Sequence, residues 1–222
     1  MITLQNVYKR YQNHHGSDWV LKDINLTIPK NVSVGLVGGN GAGKSTLLRL
    51  IAGMDVPTKG LITRNSRVSW PIGLSDVFQG SMTGRQNVKF VARVHGNNQY
   101  IAKIIRFVED FAEIGKAFDE PVKTYSSGMK SRLAFGLSLA FDFDVYLSDE
   151  ATAVGDANFK AKASAAFKER VGQASLIMVS HGEAILRDLC QAGIWLDKGH
   201  AVWFDDINDA LAAYNENRLK KK

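Results

Sequence analysis

The sequence predicts an α/β fold with a small antiparallel β subdomain and an inserted helical subdomain, and three observations carry that expectation. The first is the stretch Gly38-Gly39-Asn40-Gly41-Ala42-Gly43-Lys44-Ser45-Thr46, which meets the phosphate-loop pattern G-x-x-x-x-G-K-[ST] at every position. The second is its setting. Val32-Ser33-Val34-Gly35-Leu36-Val37 before it is a short apolar run suited to a buried strand. Thr46 to Ala52 after it carries Leu47, Leu48, Leu50 and Ile51, with Gly53 as a stop, which is a helix pattern. The third is a change of texture from about Gly80 to Ala140, where strand-like runs give way to helical ones.

Taken in order, residues 2–8 and 20–28 alternate as two strands, with Gln12 to Asp18 as a polar loop framed by Tyr11 and Trp19. Residues 60–70 suggest a further strand pair, with Val68 and Trp70 at period two. Arg85 to His95, Gln99 to Ile114 and Gly128 to Leu139 read as helices, separated by Gly96-Asn97-Asn98 and Asp119-Glu120-Pro121. Val145-Tyr146-Leu147-Ser148 is a short apolar strand ending in Asp149-Glu150, and Asp156 to Arg170 is an alanine-rich helix. Ser175 to Ser180 is another buried strand, capped by His181. Gly193 to Asp197 and His200 to Phe204 are strands, Ile207 to Tyr214 a helix, and Arg218 to Lys222 a basic, solvated tail. The division expected is an α/β core from residues 1–79 and 141–222, with 80–140 as the helical subdomain.

Composition bounds the class. A chain of 222 residues, 45% hydrophobic and 23% charged, is an ordinary globular domain able to bury a real core. The net charge of +6 suits a nucleotide, an anionic membrane surface or nucleic acid, and alone decides nothing. Cys190 is the single cysteine, which excludes an internal disulfide; after Ile185, Leu186 and Leu189 it reads as core packing. The N-terminus shows no basic start followed by an apolar run. The longest apolar stretch, Leu133 to Leu147, is broken by Asp142 and Asp144, so the chain is not expected to cross a membrane by itself.

The chemistry follows from the phosphate loop. Glycines let the backbone wrap a phosphate and turn N–H groups inward, and the following helix adds the positive end of its dipole. Lys44 then reaches the β and γ phosphates, and the Ser45 hydroxyl is a magnesium ligand. The strand ending in Asp149-Glu150 supplies the other half. Asp149 holds magnesium opposite Ser45, and Glu150 polarises a water for attack on the γ-phosphate. His181 sits at the C-terminal end of a parallel strand, where such sheets gather ligand contacts, and is placed to bond the γ-phosphate. Tyr125-Ser126-Ser127-Gly128-Met129-Lys130 opens a helix and offers a second anion site, which makes sense if it completes another copy's nucleotide site.

These ordered motifs resemble the ATP-binding subunits of ABC transporters over nearly the whole chain. Gly38 to Thr46 corresponds to Walker A, Gln79 to the Q-loop glutamine, Tyr125 to Met129 to the signature and Tyr146 to Glu150 to Walker B. Asp156 corresponds to the D-loop and His181 to the H-loop. Phe78 to Asn87 together with Tyr125 to Met129 looks like the polysaccharide-export branch, nearest to capsule exporters. The resemblance implies that Tyr11 stacks on adenine, with Trp19 as the alternative. It implies that Gln79 touches magnesium and the attacking water, and that Ser126, Ser127 and Gly128 close over the γ-phosphate held by an opposite subunit. Ser127 stands where most ABC proteins have glycine, which puts close backbone approach there in question. Ala153-Val154-Gly155-Asp156 likewise departs from the common D-loop.

The implied protein is a homodimeric, magnesium-dependent ATPase held at the cytoplasmic face of the inner membrane by a polytopic permease that handles a polysaccharide. The permease is expected near Gln79 to His95, where Val88, Val91 and Val94 face either the interior or the partner. Too few residues follow His181 for the appended sugar-binding domain frequent in O-antigen exporters, so the capsule branch is preferred. A soluble ABC ATPase acting on nucleic acid usually carries coiled coils or a second ATPase unit, for which 222 residues leave no room, so no nucleic-acid partner is expected.

Overall fold

The computed structural model describes residues 1–11, 18–73, 78–95, 98–149, 157–180 and 182–220. The chain divides into two compact units, one of Met1–Pro71, Phe143–Glu150 and Gln173–Lys222, the other of Ile72–Asp142 and Ala151–Gly172.

The first unit holds two sheets. Strands β1 (Ile2–Arg10), β2 (Trp19–Ile28) and β4 (Lys59–Arg64) form an antiparallel sheet in the order β2-β1-β4. Strands β3 (Val34–Gly38), β5 (Val68–Pro71), β6 (Val145–Asp149), β7 (Ser175–Val179), β8 (Ala192–Asp197) and β9 (His200–Phe204) form the larger sheet, in the order β5-β6-β7-β3-β8-β9. All its neighbours are parallel except β8 and β9, which pair antiparallel. Strands β3, β6 and β7 read as continuous apolar runs because a parallel strand inside such a sheet is covered on both faces. Helix α1 (Lys44–Ala52) joins the two sheets in one core: Leu47, Leu48, Leu50 and Ile51 belong to the same buried cluster as Ile2, Leu4, Leu21 and Ile24 of the small sheet and Val34, Leu36 and Ile177 of the large one.

Residues 60–70 do not form a strand pair. β4 pairs with β1 and β5 pairs with β6, so the two segments belong to different sheets. Two helices also differ from the sequence expectation. Glu183–Leu189 forms α6, too short to show a periodic stripe. α7 runs from Ile207 to Lys220, with a Glu216–Lys220 ion pair of 2.7 Å across its last turn. Only residues 221 and 222 of the basic tail lie outside the description. Cys190 closes α6 as a buried core residue, and burial pushes its thiol up to about 12. No helix among the described residues is long and apolar enough to cross a membrane.

α7 seats on the large sheet through a notch. Gly35 of β3 and Gly193 of β8 are register partners. A Cβ on Gly35 would stand 2.6 Å from Ile207 Cδ1, and one on Gly193 would meet the Ala210 Cβ. Both α7 side chains are buried there.

The second unit contains α2 (Gly84–His95), α3 (Ile101–Ala112), α4 (Ser127–Leu139) and α5 (Ala157–Val171). Its centre is Phe111, stacked on Phe107 and Phe135 at 5.8 and 6.1 Å and met edge-on by Phe159 of α5 at 5.7 Å. Lys162 of α5 also donates to the Phe111 carbonyl at 3.0 Å. These contacts place α5 with the helical unit, whereas the sequence division puts it in the core. The α2 stripe splits: Val88 is buried, while Val94 is exposed along with Phe90.

Gly193→Val should destabilise the protein by about 1–3 kcal/mol, the usual result of adding methyl groups to a filled interior. Urea unfolding checks this, and a substitution at exposed Gly39, where a Cβ meets nothing within 4 Å, provides the control.

Candidate functional site

The phosphate loop joins the end of β3 to α1. Gly43 adopts φ 106°, ψ 11°, a left-handed conformation that disfavours any Cβ. A Cβ there would also stand 2.8 Å from Leu21 Cδ2 and 3.2 Å from the Val20 carbonyl. No side chain caps α1, and no acidic residue lies in its first turn. The first amides of the helix are therefore left to an external anion. Lys44 Nζ folds back over the loop and donates to the carbonyls of Gly38 at 2.8 Å and Gly39 at 3.0 Å.

A cavity of about 400 Å³ opens on this loop, lined by Val20, Asn40, Gly41, Gly43, Lys44, Ser45, Thr46, Asp149 and Val179. Thus the sheet brings the end of β6, with Asp149, to the same cavity as Lys44 and Ser45. A carboxylate and a hydroxyl are the hard oxygen donors a small divalent cation takes. Gly38, Gly39 and Ala42 shape the loop behind this lining, with the Ala42 N–H donating to the Gly39 carbonyl at 3.2 Å. Val20 and Val179 are apolar lining that the sequence pattern did not single out. Val20 is half-buried in a strand of alternating residues, and only its distance along the chain from the glycine loop conceals the link.

Tyr11 lies at the end of β1, 45% exposed. Its hydroxyl donates to Asp55 Oδ2 at 2.8 Å, and Lys9 Nζ lies 4.7 Å from its ring centre. Lys9, only 7% exposed, donates in turn to Asp55 Oδ1 at 2.6 Å and to the Val56 carbonyl at 2.9 Å. Burial pushes the Tyr11 phenol above its ordinary value, and the hydrogen bond to Asp55 adds to this. Trp19 meets Tyr8 edge-on at 5.4 Å, with the Arg10 guanidinium 4.7 Å and Lys59 Nζ 5.5 Å from its ring. Neither ring lines the cavity.

The helical unit carries the rest of the expected set. The Gln79 residue is exposed, and its backbone is held by the Asn87 side chain. Ser126 is the N-cap of α4, its hydroxyl oxygen accepting from the Met129 N–H at 3.2 Å, and Ser126 and Ser127 are both exposed. Ser127 is the first residue of the helix and is not among the positive-φ residues, so the backbone there does not require glycine. A Cβ on Gly128 would meet only Ser126 Oγ, at 3.9 Å. Glu150, Asp156 and His181 lie outside the described residues.

The ABC transporter family profile matches residues 21–153, and the chain belongs to that family. Its fold is that of the ATP-binding cassettes. The dimeric post-hydrolysis structure of the cassette MJ0796 bound to ADP and phosphate superposes with a TM-score of 0.74 at 22% identity, over 93% of this chain and 99% of that one. Among curated relatives, the polysialic acid transport ATP-binding protein KpsT of Escherichia coli is 50% identical, over 98% of this chain and 100% of its own length. The capsule polysaccharide export ATP-binding protein CtrD of Neisseria meningitidis is 45% identical over 97% and 99% of the two chains. The ATP-binding protein BexA of Haemophilus influenzae is 43% identical over 98% and 100%.

The Asp55 knot makes a pH-dependent prediction. Burial raises the Asp55 carboxyl, but the hydrogen bonds from Lys9, Tyr11 and the Val56 N–H outweigh it and hold the group below the usual aspartate range. A depressed carboxyl stabilises the folded state above the unfolded pKa and loses that contribution as pH falls through the folded one. Asp55→Asn should therefore lower stability at pH 7 by about 2 kcal/mol. Thermal unfolding across pH should show the gap to wild type closing below about pH 4.

Proposed function

We propose that this chain is the ATP-hydrolysing subunit of an exporter that moves a capsular polysaccharide across the inner membrane. It works as a pair of identical copies on a polytopic permease at the cytoplasmic face. The observation that carries this reading is the full-length 50% identity to a polysialic acid transport subunit, joined to an intact phosphate cavity with Asp149 in its wall.

ATP enters with its phosphates along Asn40 to Thr46. Lys44 exchanges two loop carbonyls for the β and γ phosphates, and the loop amides supply the remaining donors. Ser45 and Asp149 hold magnesium, which when bound neutralises the phosphate charge, and Gln79 completes that set. Tyr11, steadied by Asp55, is the platform for the adenine ring, and Val20 lines the phosphate cavity. Glu150 polarises the attacking water, and His181 bonds the γ-phosphate. Ser126, Ser127 and Gly128 present an exposed helix N-terminus to the γ-phosphate on the opposite copy. ATP bridges both copies only when they are closed, so it favours closure, and hydrolysis releases it. The exposed Phe90 and Val94 on α2 fit a permease contact beside Gln79.

Glu150→Gln should cut hydrolysis by at least about a hundredfold while ATP-dependent pairing persists; unchanged turnover would remove Glu150 from the base role. A mixed pair of Ser126→Arg and Lys44→Ala copies should bind one ATP, in the site that keeps Lys44 from one copy and Ser126 from the other. Two or no bound nucleotides per mixed pair would contradict composite sites. Isolation of the chain from its native membrane should bring a polytopic protein with it, and stimulation of ATPase activity by DNA or RNA would point to a different class.

A further inference from the structure

The loop that leaves α1 is stitched to the end of β1. Helix α1 stops at Gly53, whose left-handed conformation (φ 75°, ψ 12°) turns the chain, and the Gly53 and Met54 N–H groups donate to the Leu50 and Arg49 carbonyls at 3.1 and 3.0 Å. Two residues after the turn, Asp55 Oδ1 accepts from the Val56 N–H at 2.7 Å. The Thr58 N–H donates to the Tyr8 carbonyl at 2.8 Å, and the Arg10 N–H to Thr58 Oγ1 at 3.1 Å. Asp55 therefore stands on backbone fixed at both ends. It is carried by the same helix whose first residues, Lys44 and Ser45, line the phosphate cavity.

The two oxygens of this carboxylate go to different side chains. Oδ2 accepts from the Tyr11 hydroxyl at 2.8 Å, and Oδ1 from Lys9 Nζ at 2.6 Å. Lys9 also donates to the Val56 carbonyl at 2.9 Å, and its ammonium lies over the Tyr11 ring, 4.7 Å from the centre. A buried ammonium held by a carboxylate and a carbonyl cannot swing aside without losing partners it needs. One face of Tyr11 is thus covered by a fixed cation, while the residue as a whole stays exposed. A flat base has only the opposite face on which to stack.

We propose that Lys9 and Asp55 are positioning residues for the nucleobase. Asp55 sets the tilt of the Tyr11 ring through its hydroxyl, and Lys9 closes one of the two ring faces, so that a single stacking pose is offered. Because Asp55 hangs from the end of α1, the base platform and the phosphate loop are both referenced to one buried helix. The spacing between base and triphosphate is then set before a nucleotide arrives. The role rests on the assignment of Tyr11 to the adenine made above. It concerns the base alone: Lys9, Tyr11 and Asp55 do not line the phosphate cavity, so a phosphate chain without a base binds independently of them.

The test compares binding of two probes to the full-length chain: MgATP, and magnesium tripolyphosphate, which has the phosphates without a base. Tyr11→Phe keeps the ring and removes its tie to Asp55, Asp55→Ala removes the tie from the other end, and Lys9→Met uncovers the second face. Each should weaken MgATP binding about fivefold, leave tripolyphosphate within about twofold, and raise KM with kcat at saturation unchanged. Tyr11→Phe and Asp55→Ala together should weaken MgATP no more than about twofold beyond either alone. Wild-type MgATP affinity in Tyr11→Phe or Lys9→Met, losses that multiply in the pair, or an equal loss for tripolyphosphate overturns the proposal. Tyr11 is exposed, so Tyr11→Phe folds and decides the matter whether or not the variants of the buried pair do. Tyr11→Ala tests the reading beneath it, and should cost MgATP about tenfold or more. Wild-type affinity in Tyr11→Ala removes Tyr11 from the base site and overturns that reading, whereas a loss there with none in Tyr11→Phe keeps the stacking and overturns the positioning role alone.

Discussion

Strand β3 is hydrogen-bonded along both edges, to β7 on one side and β8 on the other, and each of its five residues is buried. Burial on every side leaves it no room to shift without exposing apolar surface or breaking ladder bonds. The phosphate loop leaves this fixed strand and enters α1, whose own apolar face is locked into the core shared by both sheets. A loop anchored at both ends can hold its amides converged before any anion arrives. That pre-organisation lets a short run of glycines bind a triphosphate rather than collapse round it.

Lys44 illustrates the electrostatic side of the same constraint. Its ammonium bonds the carbonyls of Gly38 and Gly39, partners that compensate its charge only in part. A phosphate oxygen is a stronger, charged acceptor, so the exchange of partners favours the bound state. The Asp149 carboxylate in the same cavity repels a bare polyphosphate and attracts a cation.

What could be read from the sequence was what local pattern encodes. The glycine loop, its strand and helix, and the buried strand ending at Asp149 are contiguous stretches with strong periodicity, and residues of the loop line one cavity with Asp149. The parting of β4 and β5 between two sheets was not legible, because pairing is decided by residues more than fifty positions away in β1 and β6. Helix α6 was too short to show a period. Asn87 and Lys9 were hidden by their chemistry: polar side chains on a helix and a strand suggest solvent, and only the fold reveals that both are buried against partners supplied by loops. Val20 was invisible as a site residue for a similar reason, since nothing in an alternating strand marks which apolar side chain will border a cavity.

Trp19 has a practical value that follows from where it sits. Its indole is held edge-on to Tyr8 with two cations near its ring, and the next residue in the chain, Val20, borders the nucleotide cavity. Indole emission responds to nearby charge and to any shift in what the ring touches. A triphosphate settling beside Val20 brings negative charge toward that arrangement of cations, one residue along the chain from the indole.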